Sequence, residues 1–276
     1  RLDDFIKHAR GAVFNVTALD GRRFKMPVDI RMGIYAASEG DTINDMINRS
    51  MEAESHGRSS GEDISYFDEE VQARVRREKE IMELFPRALA DGEIIAYYQP
   101  KVRLRTMEIC GCEALVRWFH DGKIISPGDF LPVIEKNNAT NLLDYYMLES
   151  ACYEVRNWIN KGLTPIRISV NYSKQHLADV DLAKNTVDII KKHKIDPKYI
   201  EIELTETSDY DDNETLTKFV ADMNAAGVHV SMDDFGTGSS SLNLLLNLDF
   251  NVVKVDKSFV DNIGLDTAAA IKDEIM

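Results

Sequence analysis

Cysteine is scarce in this chain: Cys110, Cys112 and Cys152 are its three, odd in number and without C-x-x-C spacing. That excludes a disulfide framework and a cysteine zinc site, and leaves buried reduced thiols as the expectation. Histidine is thin as well. His8, His56, His120, His176, His193 and His229 are scattered, with no H-E-x-x-H and no nucleophile partner, which argues against histidine catalysis. No apolar run approaches the roughly 18 residues that a membrane span needs, and the N-terminus lacks a signal-peptide core. The expectation is a cytoplasmic protein with no membrane segment in this chain. Positive charge is also in deficit, at 33 Lys+Arg against 47 Asp+Glu, a formal charge of −14. A nucleic-acid polymer is therefore a poor partner, because phosphate backbones are bound by basic surface. A small anionic ligand remains open if metal ions and a few placed cations offset the repulsion.

What is present divides by pattern into residues 1–70, 71–92 and 93–276. The first region holds a short helical piece, a strand at Val13–Ala18, a turn at Gly21, a strand at Val28–Tyr35 and a polar helix, Thr42–His56, closed by Gly57. This is too little to close a core alone. From Phe67 to Ala90 one charged helix interleaves Val71, Val75, Ile81, Met82, Leu84 and Phe85 with Arg and Glu, which reads as a connector.

From Glu93 strands and helices alternate. The strand candidates are Ile94–Val102, Ile109–Trp118, Ile166–Asn171, Tyr199–Leu204, His229–Asp233 and Val252–Asp256. Helices are expected at Asn141–Asn160, Ala183–Lys194, Glu214–Ala226 and Ser240–Leu248. Such alternation favours parallel pairing through right-handed crossovers and fits an α/β TIM-like (β/α)8 barrel that stops early. A doubly wound open sheet competes, without a G-x-G-x-x-G to support it.

Side chains two apart on a strand share a face. Arg167, Ser169 and Asn171 therefore oppose Ile166, Ile168 and Val170; Glu201 and Glu203 oppose Ile200, Ile202 and Leu204; Lys254 and Asp256 oppose Val253 and Val255. Barrel interiors are normally filled by Val, Ile and Leu, and buried charges cost several kcal/mol unless paired. The bland alternative is a set of half-exposed antiparallel strands with a solvated polar face. It suits one strand but not four in succession, each with an acid or amide near its C-terminal end. The candidates are Glu113, Asn171, Glu203, Asp233, Asp234, Lys254 and Asp256. Adjacent Asp233 and Asp234 reach one site only where the strand ends, and Phe235-Gly236-Thr237-Gly238 supplies that ending. An all-oxygen set suits Mg²⁺ or Mn²⁺ rather than zinc. Two such ions would share Asp233, while Lys254 orients or deprotonates water or stabilises phosphate charge. A Schiff-base aldolase built on Lys254 is a third reading, opposed by carboxylates that keep the amine protonated.

These residues stand in blocks that strongly resemble the EAL family of cyclic-di-GMP phosphodiesterases. The blocks are Tyr98-Gln99-Pro100, Glu113-Ala114-Leu115-Val116-Arg117-Trp118, Asn171-Tyr172-Ser173, Glu203-Leu204-Thr205-Glu206, Asp233-Asp234-Phe235-Gly236-Thr237-Gly238 and Lys254-Val255-Asp256. The resemblance implies hydrolysis of cyclic-di-GMP to linear pGpG with two Mg²⁺ or Mn²⁺ ions. By position, Glu113, Asn171, Glu203, Asp233 and Asp234 would be metal ligands, and Glu113, Asp233 and Lys254 the catalytic set. Gln99, Leu115, Arg117 and Asp256 would contact or adjoin the dinucleotide. Glu206 would anchor the loop from Phe235 to Ser240, which the family links to homodimerisation. Trp118 and Phe235 read as packing residues rather than base-stacking ones. The resemblance further implies two barrel strands beyond Met276, carrying a Glu and a Gln of the site, and the stretch Asp266–Ala270 reads oddly between strand and helix. The first region resembles the C-terminal half of a degenerate GGDEF (diguanylate cyclase) domain, on Asp29-Ile30-Arg31-Met32-Gly33-Ile34-Tyr35 and the helix running to Gly57. The alternative to an enzyme is a silent receptor that binds cyclic-di-GMP and signals through the connector helix.

Overall fold

The computed structural model describes residues 5, 13–17, 22–27, 30–205, 213–236, 245 and 248–261. The chain divides into two compact units, Arg1–Ile81 and Met82–Met276. In the first, β1 (Val13–Thr17) and β2 (Arg23–Pro27) form an antiparallel hairpin. Of the expected strand at 28–35, residues 30–35 are described, and among them β3 (Met32–Ile34) pairs in parallel with β4 (Ile64–Tyr66). Helix α1 (Ile43–Ser60) opens on a capping box, in which Thr42 and Asp45 each bind the other's backbone N–H.

The helix does not stop at Gly57, as the sequence suggested. It runs on to Ser60 and closes on Gly61, whose φ of 76° is left-handed. Gly57 is buried within the helix, where a Cβ would lie 2.9 Å from the Ser65 Cβ. A Cβ on Gly33 would lie 1.8 Å from the Ser50 carbonyl oxygen. Both glycines are therefore close-packing positions between α1 and the β3–β4 pair. The charged helix is α2 (Glu69–Ala90), one residue-run as expected but starting at Glu69.

The second unit is built on a seven-stranded sheet. Its strands are β5 (Ile94–Arg103), β6 (Glu108–His120), β7 (Lys123–Ile125), β8 (Arg167–Tyr172), β9 (Ile200–Thr205), β10 (His229–Phe235) and β11 (Val252–Val255). The order is β11-β10-β9-β8-β6-β5, with β7 also on β6. Strands β6, β8, β9, β10 and β11 pair in parallel. Strands β5 and β7 run antiparallel to β6, so the parallel expectation fails at the start of the sheet. Chain length decides this: four residues, 104–107, separate β5 from β6, whereas a parallel crossover needs about a dozen. The β6–β7 link is Asp121-Gly122 with φ of 47° and 73°, the pair of positive angles that a tight hairpin turn demands.

Helices α3 (Pro127–Lys136), α4 (Thr140–Asn160), α5 (Leu182–Lys192), α6 (Asn213–Ala225) and α7 (Lys257–Asp261) follow. Helix α3 was not expected, although Ser126-Pro127 is a good helix start. The core joins Ile168, Val170, Ile202 and Val230 of the strands to Leu148 and Met223 of the helices, all buried. Trp118 is fully buried, edge-on to Phe130 at 5.3 Å, so it packs as expected. The expected helix at 240–248, Glu206 and the 266–270 stretch lie outside the described residues, apart from single positions of the first.

One contact shows the curvature of the sheet. Lys254 Nζ on β11 lies 3.1 Å from Glu113 Oε2 on β6, four strand steps away. In a flat sheet those strands would stand about 19 Å apart at ~4.8 Å per step, beyond the combined reach of the two side chains. The sheet therefore curls with this face inside. Among the described residues β5 and β11 are the ends of the strand path and are not paired with each other.

Cys112 and Cys152 are buried as expected, whereas Cys110, near the exposed start of β6, is not. Burial pushes the Cys112 thiol up to about 11 and that of Cys152 up to about 12. Since the thiolate is the nucleophile, a disulfide reagent at pH 8 should titrate one thiol rapidly in the native protein and three in denaturant. Rapid reaction of two or three native thiols would contradict this packing.

Candidate active site

The alternation that buries Ile168, Val170, Ile200, Ile202 and Leu204 on one face of β8 and β9 turns Ser169, Asn171, Glu201 and Glu203 to the inside of the curl. Register then stacks the polar set. Asn171 stands beside Glu203, Ser169 beside Glu113, and Asp233 beside Thr205. The result is a cluster in which ligand oxygens of Glu113, Glu203 and Asp233 all lie within 4.8 Å of one another.

The cation that balances them is Lys254. Its Nζ donates to Asp233 Oδ2 at 2.6 Å, Glu203 Oε2 at 2.8 Å and Glu113 Oε2 at 3.1 Å. The remaining oxygens are also engaged. Asn171 Nδ2 donates to Glu113 Oε1 at 2.9 Å, and the Asp234 N–H donates to Asp233 Oδ1 at 2.9 Å. Burial opposes the charge on Lys254, but its hydrogen bonds to Asp233 and Glu203 outweigh this and hold the ammonium above its usual range. Burial likewise opposes ionised Glu203, yet the hydrogen bonds from Lys101 and Lys254 keep its carboxyl below the ordinary value. A lysine held protonated in this way is a poor amine nucleophile, which counts against the aldolase reading.

Asp234 leaves the strand's alternation one residue before the strand ends at Phe235. Strand β10 continues through it to Phe235, and the pairing with β11 slips between Met232 and Phe235. Asp234 itself has a φ of 55°. A left-handed residue in a bulge, rather than the strand's end, breaks the alternation of the two aspartates. Asp234 lies outside the three-carboxylate set. Burial, then the neighbouring charges of Asp233 and Asp256, push its carboxyl up.

The other expected residues separate. Leu115 and Arg117 line a cavity of about 560 Å³ with Tyr172, Ser173 and Thr205, and Asn171 borders both it and the cluster. Gln99, opposite Glu113 on β5, lines a second cavity of about 350 Å³ with Lys101, Glu113, Arg167, Glu201 and Lys254. Asp256 serves as a local cap: its Oδ1 accepts from the Ser258 N–H at 2.9 Å and from the Ser258 hydroxyl. Those hydrogen bonds hold its carboxyl below the usual range. Sequence reasoning missed Lys101 and Asp144. Lys101 shares the inner face of β5 with Gln99, two residues before it, so the same alternation could have found it. Buried Asp144 on α4 accepts from the Ser173 N–H at 2.9 Å and meets His176 Nδ1 at 3.0 Å, tying down the segment after Asn171. No sequence spacing marks that pair.

The donors are carboxylates and one amide, the chemistry that hard divalent cations such as Mg²⁺ or Mn²⁺ take, and three of them already converge. Residues 82–275 match the family model described as the EAL domain. This chain belongs to the EAL domain family. An uncharacterized signaling protein of Caulobacter vibrioides is 33% identical over 255 residues, covering 91% of this chain and 31% of its own length. The bifunctional diguanylate cyclase/cyclic di-GMP phosphodiesterase MucR of Pseudomonas aeruginosa is 28% identical over 245 residues, covering 88% of this chain and 36% of its own. The chain thus spans about a third of the length of both. Among solved structures, the PaMucR phosphodiesterase in complex with c-di-GMP superposes with a TM-score of 0.64 at 32% identity, covering 70% of this EAL chain and 78% of that one. No helix among the described residues is long and apolar enough to cross a membrane.

Removing Lys254 should leave three carboxylates facing one another without their cation. Lys254→Met should destabilise the EDTA-treated protein by about 3–5 kcal/mol, lowering Tm by on the order of 10 °C, and Mn²⁺ should raise the variant's Tm more than the parent's. An unchanged melting curve in EDTA would sink this account of the cluster.

Proposed function

We propose that this EAL chain hydrolyses one phosphodiester of cyclic-di-GMP to linear pGpG with two Mg²⁺ or Mn²⁺ ions. The observation that carries the reading is the convergence of Glu113, Glu203 and Asp233 from three strands on one ammonium. The names of MucR and of the c-di-GMP complex supply the substrate. Glu113, Asn171, Glu203, Asp233 and Asp234 would hold the ions. When bound, these would lower the pKa of water and offset phosphate charge.

Lys254, whose ammonium meets three of these acids, orients the water nucleophile or stabilises phosphate charge. Arg117, with Leu115 on the wall of the larger cavity, takes a phosphate, for which its planar fork is suited. Gln99 contacts the dinucleotide from the β5 side, and Asp256 adjoins it. By the family's pattern, Glu206 would anchor the loop that follows Phe235. Closure of the curled sheet into a barrel, homodimerisation through the EAL domain and a cytoplasmic location belong to the same proposal. The first unit we read as part of a degenerate GGDEF-like regulatory domain, because the similarity to MucR, named as a diguanylate cyclase too, runs over more residues than the EAL match.

The test is product analysis by ion-pair chromatography. The protein with Mn²⁺ should convert cyclic-di-GMP to pGpG, EDTA should abolish this, and Glu113→Gln should slow turnover about a thousandfold, roughly 4 kcal/mol. Tight binding of cyclic-di-GMP without cleavage would replace the enzyme with the receptor.

A further inference from the structure

Glu203 is the one carboxylate of the cluster whose side chain has 0% exposure, so water satisfies neither of its oxygens. Two lysines divide them. Lys254 Nζ takes Oε2 at 2.8 Å, on the side of Glu113 and Asp233. Lys101 Nζ takes Oε1 at 2.6 Å, reaching across the curl from β5. The terminal torsion of a glutamate is broad and roughly two-fold, so an untethered carboxylate presents either oxygen, or both. With Oε1 occupied, only Oε2 faces Glu113 and Asp233.

We infer that Lys101 is a positioning residue for the divalent site, fixing Glu203 as a single-oxygen ligand through Oε2 and so strengthening metal binding. The inference rests on the reading of Glu203 as a ligand. A lysine charge this close would also repel an incoming cation, and the structure shows what limits that. Lys101 Nζ is 3.3 Å from Glu201 Oε1, whose side chain is 5% exposed, so much of its charge is met by a second carboxylate. Arg167 in turn stands 3.6 Å from Glu201 Oε2 and holds that carboxylate in place. What remains at the ion is mainly the orientation of Glu203. Groups that hydrogen-bond to ligating carboxylates typically change metal affinity ten- to a hundredfold when removed.

The experiment is calorimetric titration of the chain with Mn²⁺ alone, beside thermal melting in EDTA. Lys101→Met should bind Mn²⁺ about ten- to a hundredfold more weakly, and Lys101→Arg, which keeps a donor for Oε1, should recover most of the loss. Should Lys101→Met fail to fold in EDTA, Lys101→Gln, whose amide is one bond shorter and so holds Oε1 less firmly, is titrated in its place and should also bind Mn²⁺ more weakly than the parent. Binding as tight as, or tighter than, that of the parent overturns the inference, since Lys101 would then be only an interior ion-pair partner or a repulsive charge. If the parent itself binds no Mn²⁺, the metal reading of the site falls, and this inference with it.

Discussion

Three carboxylates on one ammonium are the constraint around which the second unit is arranged. Glu113, Glu203 and Asp233 come from β6, β9 and β10, and Lys254 from β11, at distances of 2.6 to 3.1 Å. Separately buried, each charge would cost several kcal/mol. Together they are tolerable only if the sheet curls enough to bring β11 over β6 and if the strands keep a register that aims the acids at one point. The apolar residues on the opposite face of β8 and β9 make that register stiff, because a one-residue slip would exchange Ile202 for Glu203 in the core. Fold and charge cluster therefore enforce each other.

Much of this was legible in the amino-acid order, for a physical reason. Where a strand is buried on one face and charged on the other, a period of two is unmistakable, and Arg167 to Asn171 and Ile200 to Leu204 display it. The long helices were legible for the same reason at a period of 3.6. Pairing direction was not, because alternation says nothing about which way a neighbour runs. Only the four-residue link between β5 and β6 settles that, and its shortness depends on strand ends that side-chain pattern defines poorly. Gly57 misled because a glycine near a helix end serves equally as a terminator or as a close contact. Gly61, four residues on, is the terminator. What the sequence did not show of Asp234 is its left-handed backbone, which accompanies the register slip between β10 and β11.

The acids are in turn held by what surrounds them. Lys101, Glu201 and Arg167 extend the charge pairing from the cluster along the inside of the sheet. Asp144 and His176 brace the segment after Asn171 from the helix side. Such supports are set by tertiary contacts between residues 29 to 102 positions apart in the chain. Of these, Lys101 holds one oxygen of Glu203 directly, and a cation would compete with Lys254 for the other.

That competition is what diffraction sees most directly. Crystals soaked in Mn²⁺ and measured at the manganese absorption edge should show anomalous density between Glu113, Glu203 and Asp233, with the Lys254 ammonium displaced from at least one carboxylate. Well-ordered carboxylates still gathered on Lys254, with no anomalous peak at millimolar Mn²⁺, would contradict the account at its centre.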